Sequence, residues 1–243
     1  EASENVLSII FQNINFRLIK WKNTLFTISI FFLVIAAAGP QIGFRVKPIE
    51  RKGVDLVIAL DTSISMDAED ITPSRLKKAK FEIRKLIKNL KGDRVAIIVF
   101  AGSSHLYLPL TTDYDAALLF LSEIDSGMIP NQGTSLSSAL NTALNALSDQ
   151  SNKHKIMLLV TDGEDHEGAA VDIAKKISEM GMTVNTVGVG SKTGSLIPIE
   201  GKKTTGYKRD NEGILITSLL NENILREIAE AGKGNYFWLE NNE

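Results

Sequence analysis

Three short stretches of this sequence carry side chains that binding chemistry can use. Asp61-Thr62-Ser63-Ile64-Ser65 sets one carboxylate and two hydroxyls at alternating positions. The apolar run before it, Val54 to Leu60, reads as a buried strand. Alternation in an extended segment points Asp61, Ser63 and Ser65 to one side. Three hard oxygen donors from one short loop suit Mg2+ or Mn2+. Gln132-Gly133-Thr134-Ser135 opens an apolar-periodic segment, which places the Thr134 hydroxyl at a helix N-terminus. Asp162 ends another apolar run, Lys155 to Thr161, and is followed by Gly163. If that strand lies beside the first, Asp162 joins Asp61 at the C-terminal sheet edge, where open α/β sheets bind ligands. The assembled set is Asp61, Ser63, Ser65, Thr134 and Asp162.

Such a set leaves a divalent cation electrophilic. Hydroxyls are neutral donors, and at most two carboxylates, partly separated by water, under-neutralise the ion. Mg2+ keeps near-octahedral geometry and retains waters. A partner's Asp or Glu can replace one of them, so the set reads as a receptor for an acidic side chain. Thr134 stands on a separate loop and helix and is expected to switch between water-mediated and direct contact when a ligand arrives.

The elements that must position these residues follow from periodicity. Apolar strands alternate with amphipathic helices from Gly53 onward. Pro73 to Leu90 is a helix with Thr72 as its N-cap, ended by Gly92. Arg94 to Phe100 is a buried strand, and Ser104 to Leu110 a weaker, edge-type one. Helices are expected over Asp113 to Ile124, Thr134 to Leu147, Glu167 to Met180 and Asn221 to Ala231. Thr183 to Val189 and Asn235 to Leu239 complete the strands, with Tyr236, Phe237 and Trp238 packing the last one. Ser191 to Gly213 is polar and Gly-rich, a surface excursion of hairpin type. The fold class is α/β, a doubly wound, mostly parallel six-stranded sheet with one antiparallel edge strand, preceded by a transmembrane helix.

Residues 1–22 carry an amphipathic pattern (Val6, Ile10, Ile14, Leu18) that ends in Arg17, Lys20, Trp21 and Lys22. It suits a membrane surface or a protein surface equally. Residues 23–44 contain no charge and, as helix, reach about 33 Å, enough for a hydrocarbon core of about 30 Å. They read as a membrane span, the competing reading being a buried core helix. Basic residues flank both sides, so charge alone does not orient it. Residues 45–52 are a linker and residues 53–240 the globular domain.

The 243 residues carry a net charge of -2, and nothing overall points to nucleic acid. The absence of cysteine excludes disulfides, zinc–thiolate sites and cysteine nucleophiles. A first residue of Glu rather than Met is expected of a fragment or a processed product.

Asp-x-Ser-x-Ser, a Gly-Thr at a helix start and a strand-ending Thr-Asp-Gly together resemble the metal-ion-dependent adhesion site (MIDAS) of the von Willebrand factor A (VWA) family. All five positions are filled. The resemblance covers about residues 53–240. Longer stretches, among them MDAEDITPSRL, GDRVAIIVFAG, PNQGTS, TDGEDHEG and IAEAGKGNYF, resemble the membrane-anchored BatB/BatA type of bacterial aerotolerance (Bat) operons. Gly39-Pro40-Gln41 matches the motif that ends the transmembrane helix in that branch. The resemblance implies Mg2+, with Mn2+ or Ca2+ as alternatives. It implies metal contact by the hydroxyls of Ser63, Ser65 and Thr134, with Asp61 and Asp162 acting directly or through water. The implied partners are a protein offering Asp or Glu to the metal, other Bat-type VWA and membrane proteins, a MoxR-type AAA+ ATPase and membrane lipid. An earlier span is expected upstream, which makes residues 1–22 a basic cytoplasmic loop and puts the VWA domain in the periplasm of the bacterial inner membrane.

Other readings fall away on the same residues. An EF-hand needs Gly at its sixth position and Glu at its twelfth, where Met66 and Thr72 stand. Gly188 to Gly194 does not satisfy a phosphate loop, and no Gly-x-Ser-x-Gly elbow occurs. His105, His154 and His166 are scattered and read as surface residues. A Mg2+-dependent hydrolase is the alternative function, since electrophilic Mg2+ also serves phosphoryl transfer. Position 63 is Ser where a paired Asp would stand, which favours a non-enzymatic binding module. A membrane scaffold with a purely structural metal is the third reading. Asp67, Glu69, Asp70, Glu164, Asp165 and Glu167 surround the set as solvated, helix-capping residues or as a screen that repels wrong acidic partners.

Overall fold

The computed structural model describes residues 15–39, 53–147, 153–165, 168–199, 206–210 and 212–239. The chain divides into two units, Glu1–Glu50 and Arg51–Glu243.

The first unit contains α1, Phe16–Ala38. Asn15 caps it by accepting from the Arg17 N–H at 3.2 Å, and Gly39 ends it at φ 51°. The helix begins seven residues before the expected span. No Gly or Pro interrupts the chain there, so Arg17, Lys20, Trp21 and Lys22 form its opening turns rather than a separate element. Its 23 residues reach about 34 Å, enough to cross a bilayer core of about 30 Å. From Arg17 on, every side chain on it is exposed. Thr24 and Thr27 donate their hydroxyls to the carbonyls of Lys20 and Asn23, both at 2.9 Å. Those bonds satisfy within the helix groups that lipid cannot. Residues 1–14, Pro40-Gln41, the linker at 45–52, His166 and Glu167 lie outside the described residues.

The second unit runs β1 Asp55–Asp61, α2 Arg75–Asn89, β2 Arg94–Phe100, β3 Ser104–Thr111, α3 Tyr114–Ser122, α4 Leu136–Ala146, β4 Lys155–Thr161, α5 Ala170–Glu179, β5 Met182–Val189, β6 Ser195–Leu196, β7 Thr217–Ser218, α6 Glu222–Ala231 and β8 Lys233–Leu239. The main sheet has the order β3-β2-β1-β4-β5-β8. All neighbours are parallel except β2 and β3. β3 is therefore the antiparallel edge, and it carries Pro109 and two register shifts against β2. The six-stranded α/β architecture matches the reading from periodicity.

Strand alternation builds two cores. Leu56, Ile58 and Leu60 of β1 face α2 and α3 through Ala79, Ile83, Ile87, Ala117 and Leu121. Val57 and Ala59 face α4, α5 and α6 through Leu140, Ala143, Ala174 and Ile228. Because β1 is covered on both faces, all seven of its residues are buried and its sequence is a continuous apolar run.

Several boundaries move. Ser74, not Thr72, caps α2, and Pro73 lies in the approach to the helix. Its hydroxyl accepts from the Lys77 N–H at 3.4 Å, while Asp113 caps α3 as expected, accepting from Ala116 at 3.0 Å. Phe237 and Trp238 are 52% and 42% exposed rather than packed. Phe237 lines an apolar groove with Ile83, Val187 and Leu239, and the Trp238 indole donates to the Gly190 carbonyl at 3.1 Å. The expected hairpin excursion is present as β6 paired antiparallel with β7, with further bridges at Pro198–Tyr207 and Arg209–Leu215.

Gly102 lets the end of β2 touch the 131–132 loop. A Cβ there would stand 2.7 Å from the Gln132 carbonyl oxygen. Gly102→Ala is expected to cost about 1–3 kcal/mol, as overpacking of a close contact does, read as a lower midpoint in urea with an unchanged slope.

Candidate metal centre

β1 ends at the centre of the sheet, between β2 and β4. Leu60 pairs with Val160, so Asp61 and Asp162 reach the same edge from adjacent strands. Asp61 is fully buried. Its Oδ1 accepts the Ser63 N–H at 2.8 Å and its Oδ2 the Thr161 hydroxyl at 2.6 Å. Thr62 turns the other way: its N–H and its hydroxyl both donate to the Phe100 carbonyl. The predicted alternation thus holds through Ser63. The chain then departs from the extended form and makes a 3-10 turn, Ile64–Asp67. Two extended residues would separate the hydroxyls by about 6.6 Å. The turn brings Ser65 Oγ to 2.9 Å from Ser63 Oγ.

Thr134 arrives on a loop pinned to β2. The Ser135 N–H donates to the Ala101 carbonyl at 2.8 Å, and the Gly102 N–H to Asn131 at 3.0 Å. Ser135, rather than Thr134, is the N-cap of α4 and accepts from Ser138 at 3.3 Å. Thr134 sits one residue ahead of the cap, 4% exposed, and lines a cavity of about 140 Å3 with Ser63 and Ser65. Glu164 and, from the hairpin, Ile197, Lys208 and Ile216 share that wall. Asp61 and Asp162, both fully buried, are not among its lining residues. All five predicted residues meet at this edge, hydroxyls in front and carboxylates deeper.

Asp162 has a partner that sequence reasoning missed. Arg75 opens α2 and is fully buried. Its Nη1 donates to Asp162 Oδ2 at 3.0 Å and to Ser218 Oγ at 2.7 Å. Its Nε and Nη2 grip both oxygens of Asp70 at 2.9 and 2.8 Å, and Nη2 also donates to the Ser218 carbonyl at 3.2 Å. All five guanidinium donors are used. The signal was present: Arg75, Ala79 and Ile83 fall at i, i+4, i+8, which puts a charge on the apolar stripe of the helix. Thr161, Ser218 and Lys208 gave no such signal, because only tertiary structure brings them to the edge.

The acidic surround resolves into distinct roles. Asp70 is the Arg75 anchor and also accepts the Ser191 N–H at 2.6 Å, so it is neither solvated nor a screen. Burial pushes its carboxyl up, but the Arg75 hydrogen bonds and charge outweigh this and hold it below the usual range. Glu164 lies on the cavity wall, and burial and then the Asp162 charge raise its carboxyl above the usual range. Asp165 accepts from Gly168 at 3.1 Å. His105 and His154 are exposed.

Asp61 faces the reverse situation. No cation pairs with it among the described residues. Burial, then the neighbouring Asp162 carboxylate, push it up to about 7. A buried carboxylate beside another, faced by neutral hydroxyls, is a donor set that fits a divalent cation. No group of three or more His, Cys, Asp or Glu side chains converges among the described residues. A cation held here would take most of its coordination from hydroxyls and water.

Two outcomes are expected. Arg75→Met strips Asp70 and the buried Asp162 of their guanidinium and should cost about 3–5 kcal/mol in denaturant unfolding. Arg75→Lys should recover only part of this, since an ammonium cannot reproduce the fork. In metal-free protein, the raised Asp61 pKa contributes stability that is complete below about pH 4 and is lost as pH rises through about 7. The melting temperature in EDTA should fall over that window, and Asp61→Asn should remove that part of the fall.

Comparison with known proteins places this geometry. The model of the von Willebrand factor type A domain matches residues 56–164. An aerotolerance-related membrane protein from Bacteroides fragilis is 44% identical in its crystal structure, with a TM-score of 0.75 over 78% of this chain and 92% of that one. The conserved hypothetical protein BatB from Bacteroides thetaiotaomicron is 45% identical, with the same coverage and TM-score. A UPF0353 protein from Nocardia farcinica is 26% identical over 232 residues, and the match spans 88% of this chain and 65% of that protein. The chain therefore spans less than two thirds of that relative. With 44% identity over 92% of the Bacteroides fragilis chain in its crystal structure, the chain belongs to the von Willebrand factor type A family, among the Bat-type, aerotolerance-related membrane proteins.

Proposed function

We propose that this membrane VWA protein is a divalent-metal-dependent binding module whose ligand is an acidic side chain of a partner protein. The observation that carries the reading is the buried Asp61, with no cation partner among the described residues, behind the cavity lined by Ser63, Ser65 and Thr134. Ser63, Ser65 and Thr134 would hold the ion by hydroxyl, and Asp61 and Asp162 would hold it directly or through water. The ion would be Mg2+, with Mn2+ or Ca2+ as alternatives; bound there, it supplies a Lewis-acidic position open to one more oxygen.

Binding fits better than catalysis. Arg75, the buried guanidinium nearby, has no donor left for a phosphate. Position 63 is Ser, so no second Asp stands two residues after Asp61 to pair with it for phosphoryl transfer.

α1 and the Bat-type relatives support a membrane setting. The domain would be tethered to the bacterial inner membrane and face the periplasm, in a complex with other Bat-type VWA and membrane proteins and a MoxR-type AAA+ ATPase. Envelope stress tolerance or complex assembly is the corresponding role.

A pull-down of the membrane-anchored chain in Mg2+ and in EDTA, beside Asp61→Ala, tests this. Partners lost in EDTA and in the variant, with the fold intact by circular dichroism, support the metal as the contact. Partners retained in both would shift the contact to α1 and the helical faces and make any metal structural.

A further inference from the structure

The hairpin after β5 borders two cavities. Among the described residues it gives Ile197, Lys208 and Ile216 to the hydroxyl-lined cavity. It gives Pro198, Ile199 and Lys208 to a second cavity of about 410 Å3, whose opposite wall includes Ile64 and Gly127. Ile64 and Lys208 belong to both, so the cavities adjoin. The geometry points to a two-part recognition site: a partner segment places an acidic side chain in the first cavity and a large apolar side chain in the second, with Lys208 between them. This rests on the metal-dependent reading above.

Size and charge both support it. The first cavity has room for an ion with its waters or a carboxylate head, whereas the second falls in the range that holds a bulky group. Ile64, Pro198 and Ile199 give the second cavity apolar walls. Lys208 is half-buried, and no described ion pair includes it. Asp67, on the far wall of the second cavity, has its own interaction and opposes a second acid there. Glu164 lines the first cavity, where the bound cation would offset it, and Lys208 adds positive charge at the shared boundary.

The hairpin is also held in place. Ser218, at its returning end, donates to Asp162 at 3.1 Å and accepts from Arg75 at 2.7 Å. The Lys208 N–H donates to the Ile197 carbonyl at 2.9 Å, which ties the two arms together beside the cavities. A wall positioned before binding spares the ordering cost that a mobile one would incur. Side chains two residues apart on an extended chain project to one side about 6.6 Å apart. Two cavities with a shared wall therefore read acid-x-apolar, in either direction.

The test pans random heptapeptides on phage against the full chain in lipid nanodiscs with Mg2+, with elution by EDTA. The expected yield is Asp or Glu two residues from Phe, Leu, Ile, Met or Trp. Soluble peptides with Asp-x-Phe should then bind about tenfold or more tighter than Asp-x-Ser, the scale of burying one aromatic side chain. The Ile199→Asp chain is expected to lose that difference, and Lys208→Glu to weaken every EDTA-sensitive peptide. EDTA-eluted peptides that are acidic without an apolar neighbour, or equal affinities of the two probes, overturn the two-part site and leave metal-dependent acid binding standing. Peptides that EDTA does not release, or enrichment no greater than on a Ser63→Ala/Ser65→Ala chain, overturn both.

Discussion

A guanidinium taken out of water is stable only if every donor finds an acceptor, and in this domain one such group sets the arrangement of four segments. Arg75 joins the start of α2 to Asp70, to Asp162 at the end of β4, and to Ser218 at the end of the hairpin. Asp70 extends the cluster to Ser191 after β5. Gly190 is part of the same constraint, since a Cβ there would stand 2.8 Å from Arg75 Cζ. The charge is compensated by two carboxylates and directed hydrogen bonds, the condition under which a buried ion pair is tolerated. Asp162 thereby sits beside two very different neighbours, a cation on one side and the Asp61 carboxylate on the other.

That asymmetry explains how the edge can attract a cation without collapsing onto its own charges. Asp162 is held by Arg75 and Ser218, while Asp61 receives neutral donors from Ser63 and Thr161. The unmet electrostatic demand lies at Asp61, behind Ser63 and Ser65. Neutral hydroxyls in front do not quench a cation's charge, and a cation left partly unquenched seeks one more anionic oxygen. In the proposed complex the hairpin, tied to the same Arg75 cluster, would determine what surrounds that oxygen.

The strands, and the placing of the five candidate residues at one edge, were legible because their signals are local. A continuous apolar run marks a strand covered on both faces, and a polar residue at its end marks the edge. The conditional step, that β4 neighbours β1, was met by the register. What local pattern missed has a physical reason in each case. The turn at Ile64–Asp67 closes on Ser63 through a hydroxyl contact that spacing alone does not reveal. Ser74 displaced Thr72 as cap because Arg75 must open the helix to reach Asp162. Among the described residues, Phe16 to Lys22 share one continuous helix with the expected span, since residues 16–38 contain nothing that stops one. Lys208 became relevant only through the antiparallel fold-back of its hairpin.

The antiparallel edge has a consequence for a protein tied to a membrane. Molecules confined to a plane meet their own copies far more often than molecules free in three dimensions. A bare strand edge is then a standing invitation to pair main chain with main chain. β3 interrupts that template: Pro109 removes one amide donor, and the register shifts against β2 bend the strand out of line. At this edge, encounters in the crowded plane are thereby left to side chains, which can discriminate, rather than to backbone, which cannot.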